Sequence, residues 1–112
     1  MGGKDKALKK LRREIRSGIY SYLILSMLKE GDMHGYVIRK RLEELGLAPS
    51  EGALYDILKS LQKLGLVESY WVMEKRPRKI YRLTDLGEEV LDELEEEVRK
   101  LARVLGGDDS GL

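Results

Sequence analysis

The stretch LGLAPS at residues 45–50 constrains this chain more than any other, because it admits only a tight turn between two helices. Gly46 offers a C-cap, Pro49 disfavours helix at Ala48, and Ser50 is a good N-cap for the second helix. Before the turn, Val37, Ile38, Leu42 and Leu45 are expected to face inward on a helix that Asp32 caps. After it, Leu54, Ile57, Leu58, Leu61 and Leu64 make one apolar stripe ending at Gly65.

Upstream, Leu8, Leu11 and Ile15, continued by Ile19, fall at spacings of three and four. The spacing predicts an amphipathic helix over 4–16 with Lys6, Lys9, Lys10, Arg12, Arg13 and Arg16 largely off the stripe. Residues 18–30 are almost wholly apolar, the mark of a second helix buried on most sides, and Gly18 is expected to separate the two. From Leu66 the period changes. LVESYWVM and KIYRLT are rich in β-branched and aromatic residues, which predicts a two-stranded hairpin with EKRPR at its tip.

Thr84 can cap a last helix, on which Leu91, Leu94, Val98, Leu101 and Leu105 alternate three and four apart. Two heptads of so narrow a seam are too short to be stable alone, so this helix is expected to pack on a partner. The expected fold is mainly α with a small antiparallel β-hairpin: a winged helix-turn-helix with N- and C-terminal dimerisation helices. Residues 1–17 form the N-terminal basic helix, 18–84 the winged domain, 85–106 the C-terminal dimerisation helix and 107–112 a disordered tail. Leu8, Leu11, Ile15, Leu91, Leu94, Val98, Leu101 and Leu105 are the expected dimerisation residues.

With no cysteine the chain has neither disulfides nor thiolate metal sites, so the cytoplasm is the default compartment. The longest apolar run, 22–25, is far too short to span a bilayer, which argues against a membrane partner. Asn is absent, Gln62 is the one Gln and 37% of residues are charged, a balance resembling that of hyperthermophilic proteins. The net charge of +1 conceals a division. Residues 1–84 hold 18 basic and 10 acidic side chains, a net +8, and residues 85–112 hold 3 and 10, a net −7. A basic body of this kind suits a polyanion.

In a helix-turn-helix the second helix enters the major groove. Here that helix presents Ser50, Glu51, Gly52, Tyr55, Asp56, Lys59, Ser60 and Lys63 opposite its apolar stripe, and its first backbone N–H groups can accept a phosphate. The hairpin stretch KRPRKIYR adds Lys75, Arg76, Arg78 and Lys79 with no acid, and Pro77 stiffens its tip. Affinity is expected from these cations and the basic first helix, and specificity from Ser50, Gly52, Tyr55 and Lys59. The helix itself is nearly charge-balanced, Lys59 and Lys63 against Glu51 and Asp56. That balance keeps a second reading open, a winged-helix protein-interaction module without specific DNA binding.

An enzyme fits poorly, for there is no Gly-rich phosphate loop, nucleophile elbow or metal-ligand spacing, and no cofactor or metal is expected. The one histidine, His34, is expected to cap or start a helix. Tyr36 and Tyr81 are expected in core or half-buried positions, and Trp71 is expected to pack the hairpin on the core or, alternatively, to line an aromatic ligand pocket at a dimer interface.

The pieces HGYVIRKRLEE at 34–44, SEGALYDILKSLQKLGLVE at 50–68 and RPRKIYRLTDLGEEVL at 76–91 together resemble the PadR family of transcriptional regulators, in its short form with one C-terminal helix. The resemblance implies a homodimer built through terminal helices. It also implies repression of a promoter through a two-fold symmetric operator in double-stranded DNA and, in many members, release by a small aromatic effector.

Overall fold

The computed structural model describes residues 2–106, and the tail expected at 107–112 lies outside them. The elements run α1 (Gly2–Glu30), β1 (Met33–His34), α2 (Gly35–Glu44), α3 (Glu51–Lys63), β2 (Val67–Met73), β3 (Pro77–Leu83) and α4 (Asp85–Val104). The fold is mainly helical, as expected, but Gly18 does not divide the first 30 residues: α1 is one helix of 29 residues. Glycine inside a helix costs only about 1 kcal/mol relative to alanine, and here no proline adds to it. The glycines that do end helices are those with positive φ, Gly46 at 78° after α2, Gly65 at 79° after α3 and Gly106 at 85° after α4.

The core gathers Ile24, Leu25 and Leu28 of α1, Ile38 and Leu42 of α2, Leu54, Leu58 and Leu61 of α3, Val67 and Tyr81 of the sheet, and Leu91 of α4. Burying each aliphatic side chain fully contributes roughly 1.5–3 kcal/mol before entropy is set against it. The apolar stripes are narrower than their spacing suggests. Val37, Leu45 and Leu64 are exposed, since each lies at the edge of its stripe or in the last turn, beyond the reach of the neighbouring element. Tyr36 is exposed as well, while Tyr81 is buried.

The hairpin gains a third strand, and the antiparallel sheet has the order β1-β3-β2. Met33 pairs with Tyr81 and His34 with Ile80. This pairing moves the start of α2: the cap is not Asp32 but His34, whose Nδ1 accepts the Tyr36 backbone N–H at 2.9 Å. The Asp32 carboxylate instead accepts the Tyr70 hydroxyl at 2.7 Å, and Arg82 pairs with Glu68 on the same polar side of the sheet.

Thr84 caps α4 as expected, its Oγ1 accepting the Gly87 N–H at 3.0 Å while its own hydroxyl donates to the Gly65 carbonyl at 2.7 Å. At Gly87 a Cβ would overlap the Leu66 carbonyl oxygen and the Leu83 side chain. Helix α4 then runs beside α1, where Lys29 reaches Asp92 at 3.4 Å and Glu95 at 3.7 Å. Leu91 is not free for a partner: it lies in the core of its own chain, with Leu94 packed against that core. Val98 is half-buried, and Leu101 and Leu105 are exposed.

Candidate nucleic-acid interface

Helix α3 begins at Ser50, whose Oγ accepts the Ala53 N–H at 3.1 Å and satisfies one orphan donor of the first turn. With Leu54, Leu58 and Leu61 buried, Ser50, Glu51, Gly52, Tyr55, Asp56, Lys59 and Lys63 all face solvent. Nothing lies within 4 Å of a Cβ built at Gly52, so a phosphate can approach the backbone there.

Strands β2 and β3 carry the second half of the surface. Their register, from Val67 with Leu83 to Met73 with Pro77, leaves residues 74–76 as the tip. Lys75, Arg76 and Arg78 are exposed there. Among the described residues none of these three, nor Lys59 or Lys63, forms a salt bridge, whereas Lys10, Lys29, Arg39, Arg41, Arg82 and Arg99 each have a carboxylate. None of the cations already neutralised lies on α3 or at the tip, so those of α3 and the tip remain available to a polyanion. Lys79 is half-buried and sits with its Nζ 5.7 Å above the centre of the Tyr81 ring. Burial raises the Tyr81 phenol above its ordinary pKa, and the nearby Tyr55 phenol raises it further.

A third contribution comes from α1. Its basic side opens beside the start of α3, where Lys9, Arg12, Arg13 and Arg16 line a cleft of about 760 Å³ with Ser50, Ala53 and Asp56. The charge of the first helix is legible in sequence, but its position next to the α3 N-terminus depends on how α1 crosses α3. Trp71 does not pack the hairpin on the core; it is 59% exposed.

On the other side of α1 lies an apolar cavity of about 760 Å³ between it and α4, lined by Ile15, Ile19, Tyr22, Leu94, Val98 and Leu101 among others. Residues 2–19 of α1 are exposed throughout, Leu8, Leu11 and Ile15 included. The expected seam residues on the two terminal helices are thus brought to one groove at Ile15, Leu94, Val98, Leu101 and Leu105, while Leu8 faces the basic cleft instead. Among the described residues no group of three or more His, Asp or Glu side chains could hold a metal ion, and no helix is long and apolar enough to cross a membrane.

Residues 24–93 match the family described as transcriptional regulator PadR-like. The chain is 34% identical over 97 residues to the transcriptional regulator Rv3488 of Mycobacterium tuberculosis, covering 85% of this chain and 91% of that protein. Its fold is similar to the crystal structure of a PadR family transcriptional regulator from Eggerthella lenta, with a TM-score of 0.79, 33% identity and 95% of each chain covered. It is also similar to Bacillus subtilis PadR in complex with operator DNA, with a TM-score of 0.62 and 30% identity over 68% of this chain and 46% of that one.

Proposed function

Since the chain belongs to the PadR-like family of transcriptional regulators, we propose that it acts in the cytoplasm as a homodimeric repressor that reads a two-fold symmetric operator. Helix α3 enters the major groove, the basic tip of the β2–β3 wing meets the adjoining backbone or minor groove, and the basic side of α1 adds phosphate contacts. The observation that carries this reading is the set of exposed cations without a carboxylate partner among the described residues, Lys59 and Lys63 on α3 and Lys75, Arg76 and Arg78 at the wing tip.

Dimerisation is supported by the exposed apolar residues of α1 and by the groove it forms with α4. A partner's terminal helices would fill that groove and set the two α3 helices about 34 Å apart, one turn of B-DNA. The same apolar space could admit a small aromatic effector at the expense of dimer geometry; Trp71 does not line it.

Mobility-shift assays on the region upstream of the chain's own gene, together with selection of bound genomic fragments at near-physiological salt, test the reading. Binding to a palindromic site is expected, and Arg76→Ala with Arg78→Ala should weaken it by about a hundredfold. Absence of salt-sensitive binding to any fragment, or unchanged affinity in the double variant, would sink it and leave α3 as a protein-contact surface.

A further inference from the structure

Trp71, the chain's single tryptophan, is mostly exposed on a strand, where a large apolar ring gains little unless something covers it. The register says which side it occupies. Ser69 pairs with Tyr81, and Trp71 pairs with Lys79 one rung nearer the tip, so alternation sets all four side chains on one face of the sheet. That face turns to α3: the Gln62 side-chain amide donates to Ser69 Oγ at 3.1 Å, and the Tyr55 phenol is near enough to help raise the Tyr81 pKa. Tyr55, Lys59 and Gln62 are spaced four and three apart, one stripe of α3 lying along the foot of the wing. Trp71 and Lys79 stand on the first rung above it.

This corner has an aromatic floor and a lysine on each wall, Lys59 from α3 and Lys79 from β3, and among the described residues neither lysine has a carboxylate partner. A helix in the major groove and a hairpin in the neighbouring minor groove are separated by one sugar–phosphate strand. With α3 and the wing disposed in this way, that strand must cross the corner between them.

Resting on the DNA-reading function above, we propose that Trp71 is a DNA contact, its indole packed on the deoxyribose edges of the strand between the grooves while Lys59 and Lys79 hold the phosphates to either side. The occupant is a duplex backbone rather than an aromatic effector, because two unpaired lysines attract a polyanion and Trp71 stands outside the apolar α1–α4 cavity.

Since no other tryptophan emits, fluorescence reports on this side chain alone. The full chain is titrated with an unlabelled duplex recovered by genomic selection, and binding is followed in parallel by anisotropy of the same duplex carrying a dye. Trp71 emission should change saturably over the concentration range in which anisotropy rises. Trp71→Ala should weaken binding by roughly tenfold with the salt slope unchanged, and Trp71→Phe should restore part of the loss. Lys79→Ala should instead make the slope shallower by about one. Circular dichroism melts of each variant establish that it is folded.

Duplex binding at saturation with unaltered emission, or wild-type affinity in Trp71→Ala, overturns the assignment of Trp71 while leaving the DNA-reading function intact. Emission that answers benzoate but not duplex overturns it in favour of a ligand site. Failure of every duplex to bind overturns both.

Discussion

Gly87 shows how one missing methyl fixes the junction of wing and last helix. Its N–H is taken by the Thr84 hydroxyl, and its bare Cα lets the first turn of α4 settle on the Leu66 carbonyl. Because the obstacle is backbone, Gly87→Ala should destabilise the fold by about 2–3 kcal/mol, readable as a lower midpoint in urea with an unchanged slope. The Thr-x-x-Gly spacing of residues 84–87 is visible in the sequence; that it marks a close approach is not, since Leu66 arrives from another element. His34 is likewise legible as a cap, but the competing Asp32 is set aside only through the pairing of Met33 and His34 with β3. Tyr70 supplies a prediction in pH. The hydrogen bond it donates to Asp32 raises its phenol above the ordinary 10.0, with burial adding to the effect. A proton held more tightly in the folded state stabilises fully below the ordinary pKa and is lost as pH climbs through the raised one. Stability should therefore decline in alkali from near pH 10, and Tyr70→Phe should soften that decline without abolishing it. Tyr81 and Lys29 are raised in the same sense, by burial and by the Asp92 and Glu95 carboxylates respectively.

At the scale of elements, helices α2 and α3, the turn between them and the two long strands are all legible, since each has a strong period and a terminating residue. Strand β1 is not, because two residues cannot display an alternation. The seam of α4 is half legible: spacing shows that Leu91, Leu94, Val98, Leu101 and Leu105 share a stripe, but not that the stripe changes partner along its length. Its beginning is committed to the chain's own core and its end to open solvent. The two ends should then respond differently to substitution. Leu101→Glu should leave the melting behaviour of the protomer intact while shifting sedimentation from dimer to monomer and weakening operator binding at least tenfold. Leu91→Ala should unfold the chain more easily, by roughly 2–4 kcal/mol.

Over the whole molecule, the basic body and the acidic last helix are divided in sequence but adjoin in space, as where Lys29 of α1 reaches Asp92 and Glu95 of α4. If about four to six phosphates are neutralised per protomer, log affinity should fall with log salt at a slope of about −7 to −11 for the dimer, and a slope near zero would remove DNA as the partner. Composition makes the sign of that dependence foreseeable, whereas the approach of the basic side of α1 to the start of α3 requires the fold. Finally, the unbroken course of α1 makes it a lever. It is clamped where Tyr20, Ile24, Leu25 and Leu28 enter the core, and Lys6 stands roughly 21 Å farther along its axis than Tyr20 at the usual rise per residue. A tilt of about 5° at the clamp sweeps that end through about 2 Å, with no joint at Gly18 to absorb the motion, so a small strain near the fulcrum arrives enlarged among the arginines beside α3.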